Sequence, residues 1–225
     1  MIELALATFE EPVKTQDISI SYVYTQAALE ENGLIGDYLT HILEDIWRFN
    51  ELESTLQCFK NTQVCNETTN TFSVTGEYVM ESEFPTDITL SWTIPVFIAN
   101  NGSKWAREAN GYKRRADVLV FITAFSETLE DVGCGGLRCG GVARDDGYIW
   151  IVGSSAVGST AFAHEMGHVL GAKHVEGDFL MHKVTSGYST ITEANRKKVL
   201  DNFKRVSSIG FETGGWKPPR QRVNK

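Results

Sequence analysis

Residues 164–174 read His164-Glu165-Met166-Gly167-His168-Val169-Leu170-Gly171-Ala172-Lys173-His174, three histidines and a glutamate within eleven positions. The four-residue spacing puts His164 and His168 on one face of an α-helix, one turn apart, so both imidazoles can reach a single ion. Glu165 follows the first of them and lies beside the pair, as a general base and not as a ligand. Gly171 can adopt positive φ and end the helix, after which the chain turns back and His174 supplies a third nitrogen. Three protein ligands leave a zinc ion an open fourth position, the arrangement of a catalytic rather than a structural site. An ion held this way lowers the pKa of its water to about 7, and Glu165 is placed to take the proton as that water attacks a carbonyl. A lone His-x-x-x-His on a surface helix is commonly coincidence. Glu165, Gly171 and His174 in register set this run apart from that case.

The elements around the run follow an α/β order. Ile18 to Tyr24 alternates as a strand does. From Gly36 to Asn50, Leu39, Ile42, Leu43, Ile46 and Phe49 recur at helical spacing and predict a buried stripe, and His41 on that helix reads as a surface or packed side chain rather than a ligand. Strands are expected over 72–80 and 88–99, the second bent or at an edge because of Pro95. A helix is expected from Ser103 to Tyr112, and Val118–Ile122 is apolar without alternation, as in a strand buried on both faces. The histidine helix should run from Thr160 to Leu170 with Ser159 or Thr160 as its cap. Thr190 and Glu193 offer a capping box for a last helix ending near Phe203.

Taken together, the long zinc signature and Met181, seven residues beyond His174, resemble the metzincin metallopeptidases. In that family a methionine on a tight turn lies beneath the zinc-binding histidines, which gives Met181 a role other than core gap-filler. The resemblance implies a mixed twisted sheet with an antiparallel edge strand plus helices, an active-site helix, and a small C-terminal subdomain carrying the methionine turn. Within the family the likeness is to the reprolysin (adamalysin) branch of venom, membrane-anchored and secreted arthropod enzymes. It is carried by Asp117–Thr123, by Gly140–Ala143 with Gly147–Val152, and by Tyr188–Thr190 with Thr192–Leu200. Three features depart from the pattern: Val175 stands where reprolysins place Asp, no cysteine follows the zinc run, and Lys183 stands where an astacin would have tyrosine.

The resemblance implies a catalytic domain over 1–214, divided into 1–171 and 172–214, and residues 215–225 read as a basic tail or linker. Tyr148, Ile149, Trp150, Ile151, Val152 and Gly153 are expected to form an edge strand that pairs with an extended substrate. Thr185, Gly187 and Tyr188 would wall the pocket for the residue after the scissile bond, and main chain near 150–156 would help the zinc ion hold the oxyanion. His182 is read as a structural or rim residue. The glycine cluster at 135–141 lacks the Gly-Lys-Ser/Thr ending of a phosphate loop.

Composition sets the wider limits. The 225 residues are 42% hydrophobic and 22% charged, ordinary for one folded domain. A net charge of -8 argues against nucleic acid or an anionic membrane as partner. No apolar run approaches the roughly 20 residues that span a bilayer, and the first residues lack a signal-peptide pattern. Four cysteines allow three connectivities, and closeness favours Cys58 with Cys65 and Cys134 with Cys139. With glycosylation acceptors at Asn66 and Asn101, these pairs predict a secreted setting. The expectation is a monomeric, secreted zinc endopeptidase acting on proteins or peptides, with one zinc ion; nothing marks a structural calcium site. The alternatives are a metzincin-fold binding or toxin protein that acts without turnover, and a zinc hydrolase of small amides.

Overall fold

The computed structural model describes residues 14–58, 65–85, 88, 93–127, 140–183 and 187–207. Cys134, Cys139, Thr185, most of the glycine cluster and the tail lie outside the described residues, as do the side chains of Cys58, Cys65 and Asn66. A six-stranded sheet forms the centre, in the order β2-β3-β1-β4-β6-β5. Its strands are β1 (Lys14–Tyr24), β2 (Ser54–Cys58), β3 (Cys65–Val79), β4 (Val118–Thr123), β5 (Gly141–Arg144) and β6 (Tyr148–Val152). The inner four run parallel, and β2 and β5 close the two edges antiparallel.

Helices cover both faces, which explains why β4 reads as a continuous apolar run. On one face lie α1 (Gln26–Asn32), α2 (Gly36–Phe49), α6 (Ala161–Val169) and α7 (Glu193–Val206). Their side chains pack with Ile20, Tyr22, Val118, Val120, Ile149 and Ile151. On the other lie α3 (Ile94–Asn100) and α4 (Lys104–Lys113), which meet Leu119, Phe121, Tyr148 and Trp150. The short helix α5 (Gly153–Ala156) carries the chain from β6 toward α6. No helix among the described residues is long and apolar enough to cross a membrane.

Four expectations need correction. Residues 94–100 form helix α3, not the second half of a strand, and Pro95 sits in its first turn. A proline is tolerated there because the N–H it lacks would have no intrahelical partner. Strand β6 is not an edge: it pairs with β4 on one side and β5 on the other, so the edge is Gly141–Arg144. Four residues that include a glycine and an alanine give little strand signal, so β5 hides in what reads as a loop. Phe49, at the end of α2, is 64% exposed and falls off the buried stripe. Finally, α7 is capped by Thr192, whose hydroxyl accepts from Asn195 N, and not by a box starting at Thr190.

Helix α7 is tied to the sheet through Phe203, fully buried, whose ring lies 5.5 Å from Phe72 and 6.4 Å from Trp47. Replacing Phe203 by alanine is expected to destabilise the fold by about 3–5 kcal/mol, read as a lowered midpoint in urea with Trp47 fluorescence as probe.

Candidate metal centre

Helix α6 presents His164 and His168, and Gly171, at φ +84°, lets the chain reverse immediately after it. His174 then returns to the same point. The three Nε2 atoms form a nearly equilateral triangle: 3.1 Å from His168 to His164, 3.1 Å from His168 to His174, and 3.3 Å from His164 to His174.

Two backbone carbonyls fix the tautomers. His164 Nδ1 lies 2.6 Å from Leu180 O, and His168 Nδ1 lies 3.0 Å from Ala172 O. A carbonyl can only accept, so each Nδ1 must donate, and the two Nε2 atoms carry bare lone pairs. At most one proton, on His174, remains for three close nitrogen–nitrogen contacts. Such a triangle is repulsive until a cation enters it. Zinc bonds to imidazole nitrogen at about 2.0–2.1 Å, and tetrahedral angles then separate neighbouring nitrogens by roughly 3.3 Å. The donor set and its spacing therefore fit a zinc ion held by His164, His168 and His174. Carbonyl partners on the far ring nitrogens are the usual supports of such ligands.

Burial falls across the triangle. His164 is 3% exposed, His168 half-buried and His174 exposed, so the centre opens on the His174 side. Burial pushes His164 down to about 4 and His168 below its ordinary value, keeping both neutral at pH 7. Glu165 is 6% exposed. Burial alone pushes its carboxyl up to about 8. A dication held by neutral imidazoles beside it would act in the opposite direction. The carboxylate's stem lies against β5: a Cβ on Gly141 would sit 2.9 Å from Glu165 Cγ.

Met181 is fully buried beneath α6. It occupies a turn closed by His182 N donating to Phe179 O at 2.9 Å, and its own carbonyl accepts from Val175 N at 3.0 Å. A Cβ on Gly167 would lie 2.6 Å from the Met181 sulfur. That contact explains a glycine in a helix interior, where it costs about 1 kcal/mol relative to alanine. His182 stays out of the triangle and faces Glu176 at 3.9 Å.

The predicted substrate residues are placed unevenly. Tyr148 to Val152 are at most 1% exposed, committed to the two helical layers. Trp150 Nε1 donates to Thr123 Oγ1 and the Tyr148 hydroxyl to Asn110 Oδ1. Gly153 is buried at the start of α5. Gly187, at φ +80°, is exposed and Tyr188 half-buried. Sequence reasoning missed the contact of Gly141 with Glu165, the contact of Gly167 with Met181, and the carbonyls of Ala172 and Leu180. A glycine inside the histidine helix was a readable signal; a backbone carbonyl leaves none in the side-chain pattern.

No family model and no curated protein matches the chain. Among solved structures it resembles a chain from a chaperone–substrate complex, with a TM-score of 0.56 and 13% identity over 88% of this chain and 40% of that one. It also aligns with metalloproteinase-II from Bacteroides fragilis, at a TM-score of 0.49 and 13% identity over 87% of this chain and 55% of that one. The chain thus spans between two fifths and somewhat over half of these solved chains. Identities this low speak to the fold alone.

Two outcomes follow from the geometry. Gly167→Ala should destabilise the protein by about 1–3 kcal/mol through overpacking, and the same change should cost less in a Met181→Ala background, read as a double-mutant cycle in thermal unfolding. Glu165 carries a raised pKa in the metal-free chain, so its proton stabilises the fold below the ordinary value near 4.5, a contribution lost as pH rises through about 8. Glu165→Gln should therefore stabilise the metal-free protein more at pH 8 than at pH 5, measured by unfolding in chelator.

Proposed function

We propose that this chain is a zinc-dependent endopeptidase of the metzincin type that hydrolyses internal peptide bonds of extended protein segments. The observation that carries the reading is the triangle of lone-pair nitrogens with a buried carboxylate from the same helix beside it. A zinc ion bound there supplies Lewis acidity to the scissile carbonyl and to water. Glu165 takes a proton from the attacking water and delivers it to the departing amine nitrogen, so the carboxylate ends as it began. His164 and His168 keep their Nδ1 protons on Leu180 and Ala172 throughout, which holds their lone pairs on target.

Strand β5 is the natural place for substrate. It pairs with β6 along one side only among the described residues, and Gly141 brings its backbone against Glu165. An extended peptide added there gains main-chain hydrogen bonds and presents alternate side chains toward and away from the site. Residues 148–153 then act from behind, by holding β5 and the main chain near 150–156 in place. Thr185, Gly187 and Tyr188 form the wall of the pocket beyond the scissile bond. The reading includes the division at Gly171 into upper and lower subdomains, the reprolysin-like branch, a monomer, and secretion. Support for secretion comes from the cysteines and the acceptors at Asn66 and Asn101. Cys58 and Cys65 stand directly opposite across β2 and β3, where Cα atoms lie about 4.5–5.5 Å apart, inside the range a disulfide spans.

The test compares parent and Glu165→Gln on an unfolded protein substrate. The parent should cleave it and stop on chelation. The variant should lose about 10²–10⁴-fold in rate while keeping near one zinc per chain. Unchanged cleavage by the variant, or a parent that binds no divalent ion, would overturn the proposal; binding of zinc without any turnover would favour a protein that acts by occupancy.

A further inference from the structure

The backbone that carries or adjoins the two carbonyls orienting His164 and His168 is held by asparagines distant in sequence. Asn195, on α7, is 2% exposed and makes two opposed hydrogen bonds to one residue: Lys173 N donates to its Oδ1 at 3.0 Å, and its Nδ2 donates to Lys173 O at 2.8 Å. Lys173 lies between Ala172, whose carbonyl accepts from His168 Nδ1, and the ligand His174. Asn50, just past α2, is 9% exposed and does the same to another segment. Its Nδ2 donates to Ser189 O at 2.7 Å and its Oδ1 accepts from Ile191 N at 2.8 Å. Between those two residues, Thr190 O accepts from Leu180 N at 2.7 Å, and Leu180 O is the acceptor for His164 Nδ1.

From these chains of contact we infer that Asn50 and Asn195 are positioning residues for the metal centre, Asn195 setting the orientation of His168 through one intervening backbone segment and Asn50 that of His164 through two. A primary amide suits the task because it offers a donor and an acceptor side by side, matching an N–H and a C=O of extended backbone. Neither a carboxylate nor an apolar side chain of that size satisfies both. Both asparagines are further fixed: Asn50 Nδ2 also donates to Ile46 O at 2.8 Å, Asn50 O accepts from Arg196 Nε at 3.2 Å, and Asn195 N donates to the capping Thr192 hydroxyl. A held clamp can hold; a mobile one would transmit nothing. Outer partners of metal ligands tune affinity by their effect on ligand orientation.

The inference rests on the three histidines binding zinc, and the experiment separates the two failures. Zinc affinity of the folded protein is measured by competition with a chromophoric chelator for the parent, Asn50→Ala, Asn195→Ala and a control, Asn110→Ala. Asn110 also bridges two elements, through Ile98 O and the Tyr148 hydroxyl, but on the opposite face of the sheet. Asn50→Ala and Asn195→Ala should each weaken zinc by about tenfold, the low end for outer partners, with Asn110→Ala within twofold of the parent. In the metal-free protein the ring N–H signal of His164 should exchange faster with water in Asn50→Ala and that of His168 in Asn195→Ala. If an alanine variant does not fold, the isosteric Asn→Asp, which keeps the acceptor and loses the donor, carries the same expectation. A parent that binds no zinc sinks the metal centre itself; a parent that binds, with both variants within twofold of it, overturns the clamps alone.

Discussion

Three nitrogen lone pairs held within 3.3 Å of one another repel, and the protein holds them there without a proton to share between most of them. That arrangement is stable only as part of a larger structure that gives the rings no other choice. The rest of the molecule can be understood as the source of that constraint. The parallel sheet fixes the start of α6 through β6 and α5. Gly171 sends the chain back, and the methionine turn closes beneath. Each element does one mechanical task, and together they store the repulsion that a cation relieves.

Burial serves the same end. A buried imidazole resists protonation, which keeps the ligands in the form that binds metal, while a buried carboxyl resists ionisation. The two effects pull in opposite directions along one helix, at His164 and its neighbour Glu165. A positive ion in the triangle reconciles them, since it favours neutral ligands and an ionised carboxylate alike.

Much of this was legible in the residues. The helix carrying the ligands, its glycine stop, the doubly buried strand β4 and the amphipathic α2 are all local patterns of spacing, and local patterns survive folding. What escaped was set by long-range pairing. Residues 141–144 become the outermost strand among the described residues only because β6 accepts them, and 94–100 become a helix although 88–99 reads as a strand broken at Pro95. The carbonyls of Ala172 and Leu180 carry function without side chains, so no residue type announces them. Asn50 and Asn195 look like ordinary polar residues until Ser189, Ile191 and Lys173 arrive beside them.

The separation between Asn50 and Ile191, 141 residues apart in sequence, has a consequence for how the molecule matures. The signature itself is compact and leaves the ribosome in a single stretch. Its backing lies on both sides of it in the chain, Asn50 before and Asn195 on α7 after. Loop closure over so long a separation is among the slow events of folding. A nascent or truncated chain bearing the complete signature would thus possess the ligands but lack the frame that aims them. The ligands are specified in one short run, but their aim depends on the two ends of that 141-residue separation having met.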